Sequence, residues 1–252
     1  MTRLVSILLM LALSFSLISC SKSDEDKKAE TKNEIKQPKL VYNYDVAYLT
    51  GRFDPAKNPD FVPIDRKYTD KDTYLRKDAY TAYEKMYQAA YDEGITLRIL
   101  SATRNYYDQK GIWESAWRED TSPDPLQKAK NILIYHSMPT TSRHHWGTDI
   151  DIIALDNEHF DTPVGKKEYT WLINNAHKYG FYQPYTKKGD NRKTGYNEEK
   201  WHWSYIPLSK EILKQYTQKV SYTDINGFPG SEMAKDIGMI ENYVLGVEGD
   251  CK

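Results

Sequence analysis

The chain has 252 residues, with 35 Lys and Arg against 36 Asp and Glu, and two cysteines, Cys20 and Cys251. A formal net charge of −1 leaves no cationic surplus for a nucleic-acid backbone, which excludes nucleic acid as the main partner. Two cysteines exclude a disulfide framework and a thiolate zinc finger, and a mean hydropathy of −0.76 excludes a polytopic membrane protein.

Taken in chain order, Arg3 is followed by an apolar stretch over residues 4–18 that carries no charge. It is shorter than the ~20 residues a membrane-spanning helix needs and has the length of a signal-peptide core. It ends in Leu17-Ile18-Ser19-Cys20, which resembles a bacterial lipobox. The expectation is a lipoprotein signal peptide over residues 1–19, removed so that Cys20 becomes the lipidated N-terminus. Residues 20–40 follow as a tether: six Lys and five acidic residues lie between 21 and 40, with no aromatic to bury. Such a segment cannot offset its ordering entropy and reads as disordered.

Residues 41–252 read as one globular domain. Leu75, Ala79, Ala82, Met86 and Ala89 recur at spacings of three and four, which predicts an amphipathic helix over 74–93 closed by Gly94. Residues 95–100 alternate and predict a strand. A mostly helical stretch over 108–136 is interrupted at Pro123 and Pro125. Strands are predicted over 149–155 and 201–206, with a helix over 166–179 stopped by Gly180. Two further helices are predicted at about 208–219 and 231–244. Strands separated by helices, without regular βα repeats, give an α+β class.

Three segments carry chemistry. Ser142-Arg143-His144-His145-Trp146-Gly147-Thr148-Asp149-Ile150-Asp151 packs two imidazoles and two carboxylates together, the donor types zinc takes in catalytic sites. Gly147 permits a turn that brings a histidine before it and a carboxylate after it to one point. Asp149 and Asp151 share one strand face, so periodicity does not choose between them. In Glu199-Lys200-Trp201-His202-Trp203, His202 offers a third neutral ligand and Glu199 a carboxylate suited to take a proton from water. In Ser101-Ala102-Thr103-Arg104-Asn105-Tyr106-Tyr107-Asp108-Gln109, Arg104 lies just past the first strand, where a guanidinium can hold a carboxylate or developing oxyanion. Trp146, Trp201, Trp203 and Tyr106 are candidates for cleft walls or core.

In this order the three segments resemble the VanY-type zinc D-Ala-D-Ala carboxypeptidases, within the M15 peptidases and the Hedgehog/DD-peptidase fold. The family's Ser-x-His-x-x-Gly-x-Ala-x-Asp is matched by Ser142, His144, Gly147 and Asp151. Its Glu-x-x-His is matched by Glu199 and His202, and its Ser-Gly-Tyr-Arg-Ser with a downstream Gln by Ser101, Arg104 and Gln109. The likeness covers roughly residues 70–206. It implies a small, mainly antiparallel sheet flanked by helices, one zinc per chain held by His144, Asp151 and His202, Glu199 as general base, and Arg104 as a catalytic or carboxylate-gripping cation. Ser142 and Gln109 are the implied substrate contacts. The implied function is removal of the C-terminal D-Ala of peptidoglycan stem peptides, D,D or L,D, by a monomer lipid-anchored in the cell envelope outside the cytoplasm. The alternatives are a dipeptidase or endopeptidase on the same zinc site, or a non-catalytic wall-binding lipoprotein. The chain departs from the pattern at Asp149, where the family usually has a small apolar residue, and at Ala102-Thr103 before Arg104.

Overall fold

A computed structural model describes residues 42–252; the segments expected to be a signal peptide and a tether, with Cys20, lie outside the described residues. The described chain opens with α1 (Val46–Leu49), capped by the Asp45 side chain. A two-stranded antiparallel hairpin follows, β1 (Phe61–Pro63) with β2 (Tyr74–Arg76), and leads directly into α2 (Lys77–Asp92). Then come β3 (Ile99–Ser101), α3 (Tyr106–Glu119) and α4 (Pro125–Ile132). A 3-10 turn over Arg143–Trp146 precedes β4 (Asp149–Ile152). Next are α5 (Pro163–Asn175), β5 (Phe181–Tyr182), β6 (His202–Tyr205), α6 (Ile206–Lys219) and the short α7 (Ala234–Ile237).

The main sheet has the order β3-β4-β6-β5 and is antiparallel throughout. Its two faces differ in chemistry because side chains alternate along a strand. Ile150, Ile152 and Trp203 point to one face and pack with Ala79, Tyr83, Met86 and Ala90 of α2 and with Trp171 and Leu172 of α5. Asp149, Asp151, His202 and Ser204 take the other face. Register pairs Asp149 with Ser204 and Asp151 with His202, and residues directly opposite one another bring their Cβ atoms to about 5 Å. A second core, with Trp113, Trp146 and Tyr216 fully buried, gathers α1, α3, α4, α6 and the C-terminal turns. This is the predicted α+β arrangement. No helix among the described residues is long and apolar enough to cross a membrane.

Several predicted boundaries shift. The helix begins at Lys77 rather than 74, because Tyr74, Leu75 and Arg76 form a ladder with Phe61–Pro63, the hairpin that the pattern did not show. Of residues 95–100 only Ile99 and Leu100 lie in a paired strand, β3, which runs on to Ser101; Ile95 and Leu97 are buried without strand pairing. Pro125 starts α4 as its first residue instead of merely interrupting a helix, which suits a residue without an N–H. The strand over 149–155 stops at Ile152, since Ile153 turns into the left-handed region at φ 73°. Gly94 and Gly180 close their helices as expected. The helix over 231–244 breaks into a 3-10 turn, α7 and a π-helical turn; Gly238 sits left-handed at φ 71° between the last two.

Candidate metal centre

The ligand segment is built to expose one histidine and tie down the other. Ser142 caps the 3-10 turn, its Oγ accepting the His144 N–H at 3.3 Å, and Gly147 ends the turn left-handed at φ 70°. A Cβ at Gly147 would fall 2.2 Å from the Phe61 ring, so both conformation and space require glycine. His145 uses both ring nitrogens within the fold. Its Nδ1 lies 2.7 Å from the Arg104 carbonyl, and its Nε2 accepts the Thr140 N–H at 3.0 Å. Burial pushes its pKa down to about 3, so it stays neutral. His144 instead donates Nδ1–H to the Ala102 carbonyl at 2.7 Å, which leaves Nε2 as the nitrogen with a lone pair.

That Nε2 lies 3.3 Å from Asp151 Oδ2, and His202 Nδ1 lies 3.1 Å from Asp151 Oδ1. One ligand atom from each of His144, Asp151 and His202 lies within 4.8 Å of the others. His144 Nε2 and Asp151 Oδ1 are nonetheless buried and make no hydrogen bond. Buried polar atoms are normally satisfied, so lone pairs that converge without bonding one another suit a cation between them. Two imidazoles and a carboxylate, with no thiolate, are donors that zinc accepts in three-ligand catalytic sites. The residues fit the group.

Glu199, only 4% exposed, brings Oε2 to 3.3 Å from His202 Nδ1. Burial raises its pKa above the usual carboxylate value. Burial works against a charged His202, but contacts with Asp149, Asp151 and Glu199 outweigh it and hold the imidazole well above its ordinary pKa. Burial, reinforced by the Arg104 charge, lowers that of His144. Arg104 sits at the edge, its side chain 23% exposed, with Nη1 2.9 Å from Ser101 Oγ and 3.5 Å from Asp151 Oδ2. These groups line a cavity of about 820 Å³. Ser142 and Gln109 line it too. Gln109 donates Nε2–H to the Ser137 carbonyl at 2.8 Å, which turns its buried, unbonded Oε1 into an available acceptor.

Of the aromatic candidates only Trp201 lines the cavity. Trp146, Trp203 and Tyr106 belong to the cores, their polar atoms bonded to carbonyls of Leu49, Lys200, and Asn226 with Gly227. Tyr185, not singled out in the sequence, does line the cavity, its ring 4.8 Å from that of His202. It lies in a loop with no periodicity or motif to mark it. Asp149 is no member of the trio. It is fully buried, with Oδ2 3.0 Å from Arg143 Nε, and Arg143 and the neighbouring histidines hold its pKa well below the ordinary range despite burial. Cys251 is a buried free thiol, and burial lifts its pKa to about 12.

The family described as VanY, D-alanyl-D-alanine carboxypeptidase, matches residues 72–208. The chain belongs to this family. Among its relatives, YodJ of Bacillus subtilis (strain 168), which carries a carboxypeptidase name, is 32% identical over an alignment of 189 residues that covers 68% of this chain and 64% of YodJ. Among solved structures, the LdcB LD-carboxypeptidase is similar at 26% identity and TM-score 0.50, covering 68% of this chain and 77% of LdcB. A zinc complex of the D,D-pentapeptidase VanY from a vancomycin-resistance cassette is similar at 22% identity and TM-score 0.46, covering 65% and 94%. The fold is that of the Hedgehog/DD-peptidase group, a small antiparallel sheet among helices.

Proposed function

We propose that the protein is a zinc-dependent carboxypeptidase that hydrolyses the C-terminal D-Ala from peptidoglycan stem peptides. The observation that carries the reading is the convergence of His144 Nε2, the Asp151 carboxylate and His202 Nδ1 beside a buried Glu199 on the floor of one cavity. Membership of the VanY family supports it. His144, Asp151 and His202 hold the ion. Zinc, when bound, supplies a Lewis acid that acidifies water and polarises a carbonyl. Glu199 takes the proton of the attacking water on its carboxylate and returns it to the departing amine of D-Ala. Its raised pKa suits both halves of that exchange. Arg104, forked and partly open to the cavity, grips the terminal carboxylate of the peptide, which would make the enzyme an exopeptidase. Ser142 and Gln109 line the cavity and contact the peptide in this reading; the Gln109 Oε1 has no hydrogen-bond partner within the fold.

A second reading narrows the substrate to stem peptides ending in a single D-Ala, cut in the L,D sense. It is favoured by the likeness to LdcB, whose name gives that specificity. In this reading the domain acts outside the cytoplasm, and the protein is a monomer that a lipidated Cys20 ties to the membrane. The test is incubation of the zinc-loaded protein with defined muropeptides, a pentapeptide ending in D-Ala-D-Ala and a tetrapeptide ending in D-Ala, with products read by mass. Loss of one D-Ala from the pentapeptide alone supports the D,D reading, and from the tetrapeptide alone the L,D reading. Loss of a dipeptide or an internal cut would make it a dipeptidase or endopeptidase. Both peptides left intact would favour a non-catalytic wall-binding role.

A further inference from the structure

Asp149 is the carboxylate that the family pattern does not lead one to expect, and its surroundings explain its presence. It is fully buried and accepts from four donors. Oδ1 takes the Ser204 hydroxyl at 2.7 Å and the Thr148 hydroxyl at 2.9 Å, while Oδ2 takes Arg143 Nε at 3.0 Å and lies 3.3 Å from His202 Nε2. Arg143 is itself buried, with its Nη2 donating to Ser204 Oγ at 2.6 Å and its guanidinium 4.8 Å from the centre of the Trp146 ring. Register places Ser204 opposite Asp149 and His202 opposite Asp151, so one strand pair carries Asp151 and His202 of the trio beside Asp149 and Ser204 of this cluster.

His202 therefore stands between two carboxylates, with Nδ1 toward Asp151 and Nε2 toward Asp149. A histidine can ligate only through a nitrogen that carries no proton, and the proton's place is set by what the other nitrogen touches. His144 has a neutral backbone carbonyl behind it at 2.7 Å. His202 has a carboxylate, anchored by a guanidinium and two hydroxyls. We infer that Asp149, locked by Arg143, Ser204 and Thr148, is a positioning residue that keeps the proton of His202 on Nε2 and aims Nδ1 at the metal. Arg143, Ser204 and Thr148 fix that carboxylate in place behind the ring. The inference rests on the proposed ligand trio but concerns a residue outside it.

The test is zinc affinity and the state of the His202 ring. Asp149→Asn keeps the shape but presents an amide where the carboxylate accepted. Outer partners of this kind are typically worth 10–100-fold in metal affinity. The expected result is a folded variant whose zinc dissociation constant rises by about that factor. Because the amide would leave the Arg143 guanidinium buried without its counter-charge, Arg143→Met/Asp149→Asn is measured alongside, and the same weakening is expected. In the zinc-loaded wild type, nitrogen-15 NMR should show His202 ligating through Nδ1, with a slowly exchanging, downfield Nε2 proton. A folded Asp149→Asn or double variant that binds zinc within two- to threefold of the wild type would overturn the inference, as would an Nε2 of His202 that carries no proton. Wild type that binds no zinc at all would instead overturn the proposed function.

Discussion

Replacing Glu199 with Gln removes a proton acceptor while leaving the shape of the site. Oε2 approaches His202 Nδ1 at 3.3 Å, and the residue is 4% exposed, so a side chain of the same length is held in the same place. General-base assistance contributes about 10²–10⁴-fold to rate, roughly 3–5 kcal/mol of barrier. Burial disfavours the ionised form of Glu199, as its raised pKa reports, so a neutral amide relieves a desolvation cost. The variant should melt at the same temperature as the wild type or higher. Zinc content should remain about one per chain, because Glu199 is not one of the three converging ligands. The assay pairs metal analysis and thermal melting with D-Ala release from the muropeptide that the wild type cuts. Rates reduced by at least 10²-fold with metal and fold intact are expected. Activity within a few-fold of wild type would move the base to another residue, and loss of zinc with activity would make Glu199 a ligand.

Two other outcomes follow from the geometry and a third from the sequence. His144→Ala and His202→Ala should each abolish stoichiometric zinc binding. His145→Ala should retain zinc while losing stability, because both ring nitrogens of His145 are bonded within the fold; full occupancy in His202→Ala, as read by metal analysis, would remove it from the site. In metal-free protein, His145 has a folded pKa of about 3 against an ordinary 6.5. The unfolded state therefore binds the extra proton below pH 6.5, and the stability present above that value declines as pH falls. One such proton is worth at most about 1.4 kcal/mol per pH unit, roughly 2 kcal/mol between pH 6.5 and 4.5. Urea midpoints that stay flat over that window would contradict the buried neutral histidine. Finally, Cys20→Ser should move the protein out of the membrane fraction; unchanged partition with normal cleavage would contradict the lipid anchor.

How far the sequence could be read depended on which physical signal each residue leaves. Helix stops at Gly94 and Gly180 and the turn at Gly147 were visible, because a residue without Cβ marks a left-handed backbone wherever it falls. The hairpin of Phe61–Pro63 with Tyr74–Arg76 was hidden, since Leu75 also continues the helical spacing of Ala79 and Ala82. The apolar spacing of the last helix runs on through Gly238, but there the chain turns left-handed and the Asn242 amide bonds back to the Ile237 carbonyl at 2.8 Å. At the site, alternation puts Asp149 and Asp151 on the same face, and nothing local separates them. They differ in partners that the fold assembles: Thr148, Ser204 and Arg143 occupy Asp149, while His144 and His202 converge on Asp151. The adjacent histidines are likewise told apart by Thr140 and by the carbonyls of Arg104 and Ala102, contacts that only the fold creates.

The central claim is that the trio and Glu199 form one hydrolytic zinc centre. It is tested most directly by stripping the wild-type protein of metal and titrating zinc back while counting D-Ala released from a defined stem peptide. No release is expected without metal, and a rise that saturates at one zinc per chain is expected on titration. In Glu199→Gln, zinc should bind with the same stoichiometry and release almost no D-Ala. Stem peptides left intact by wild-type protein carrying a full equivalent of zinc would contradict it.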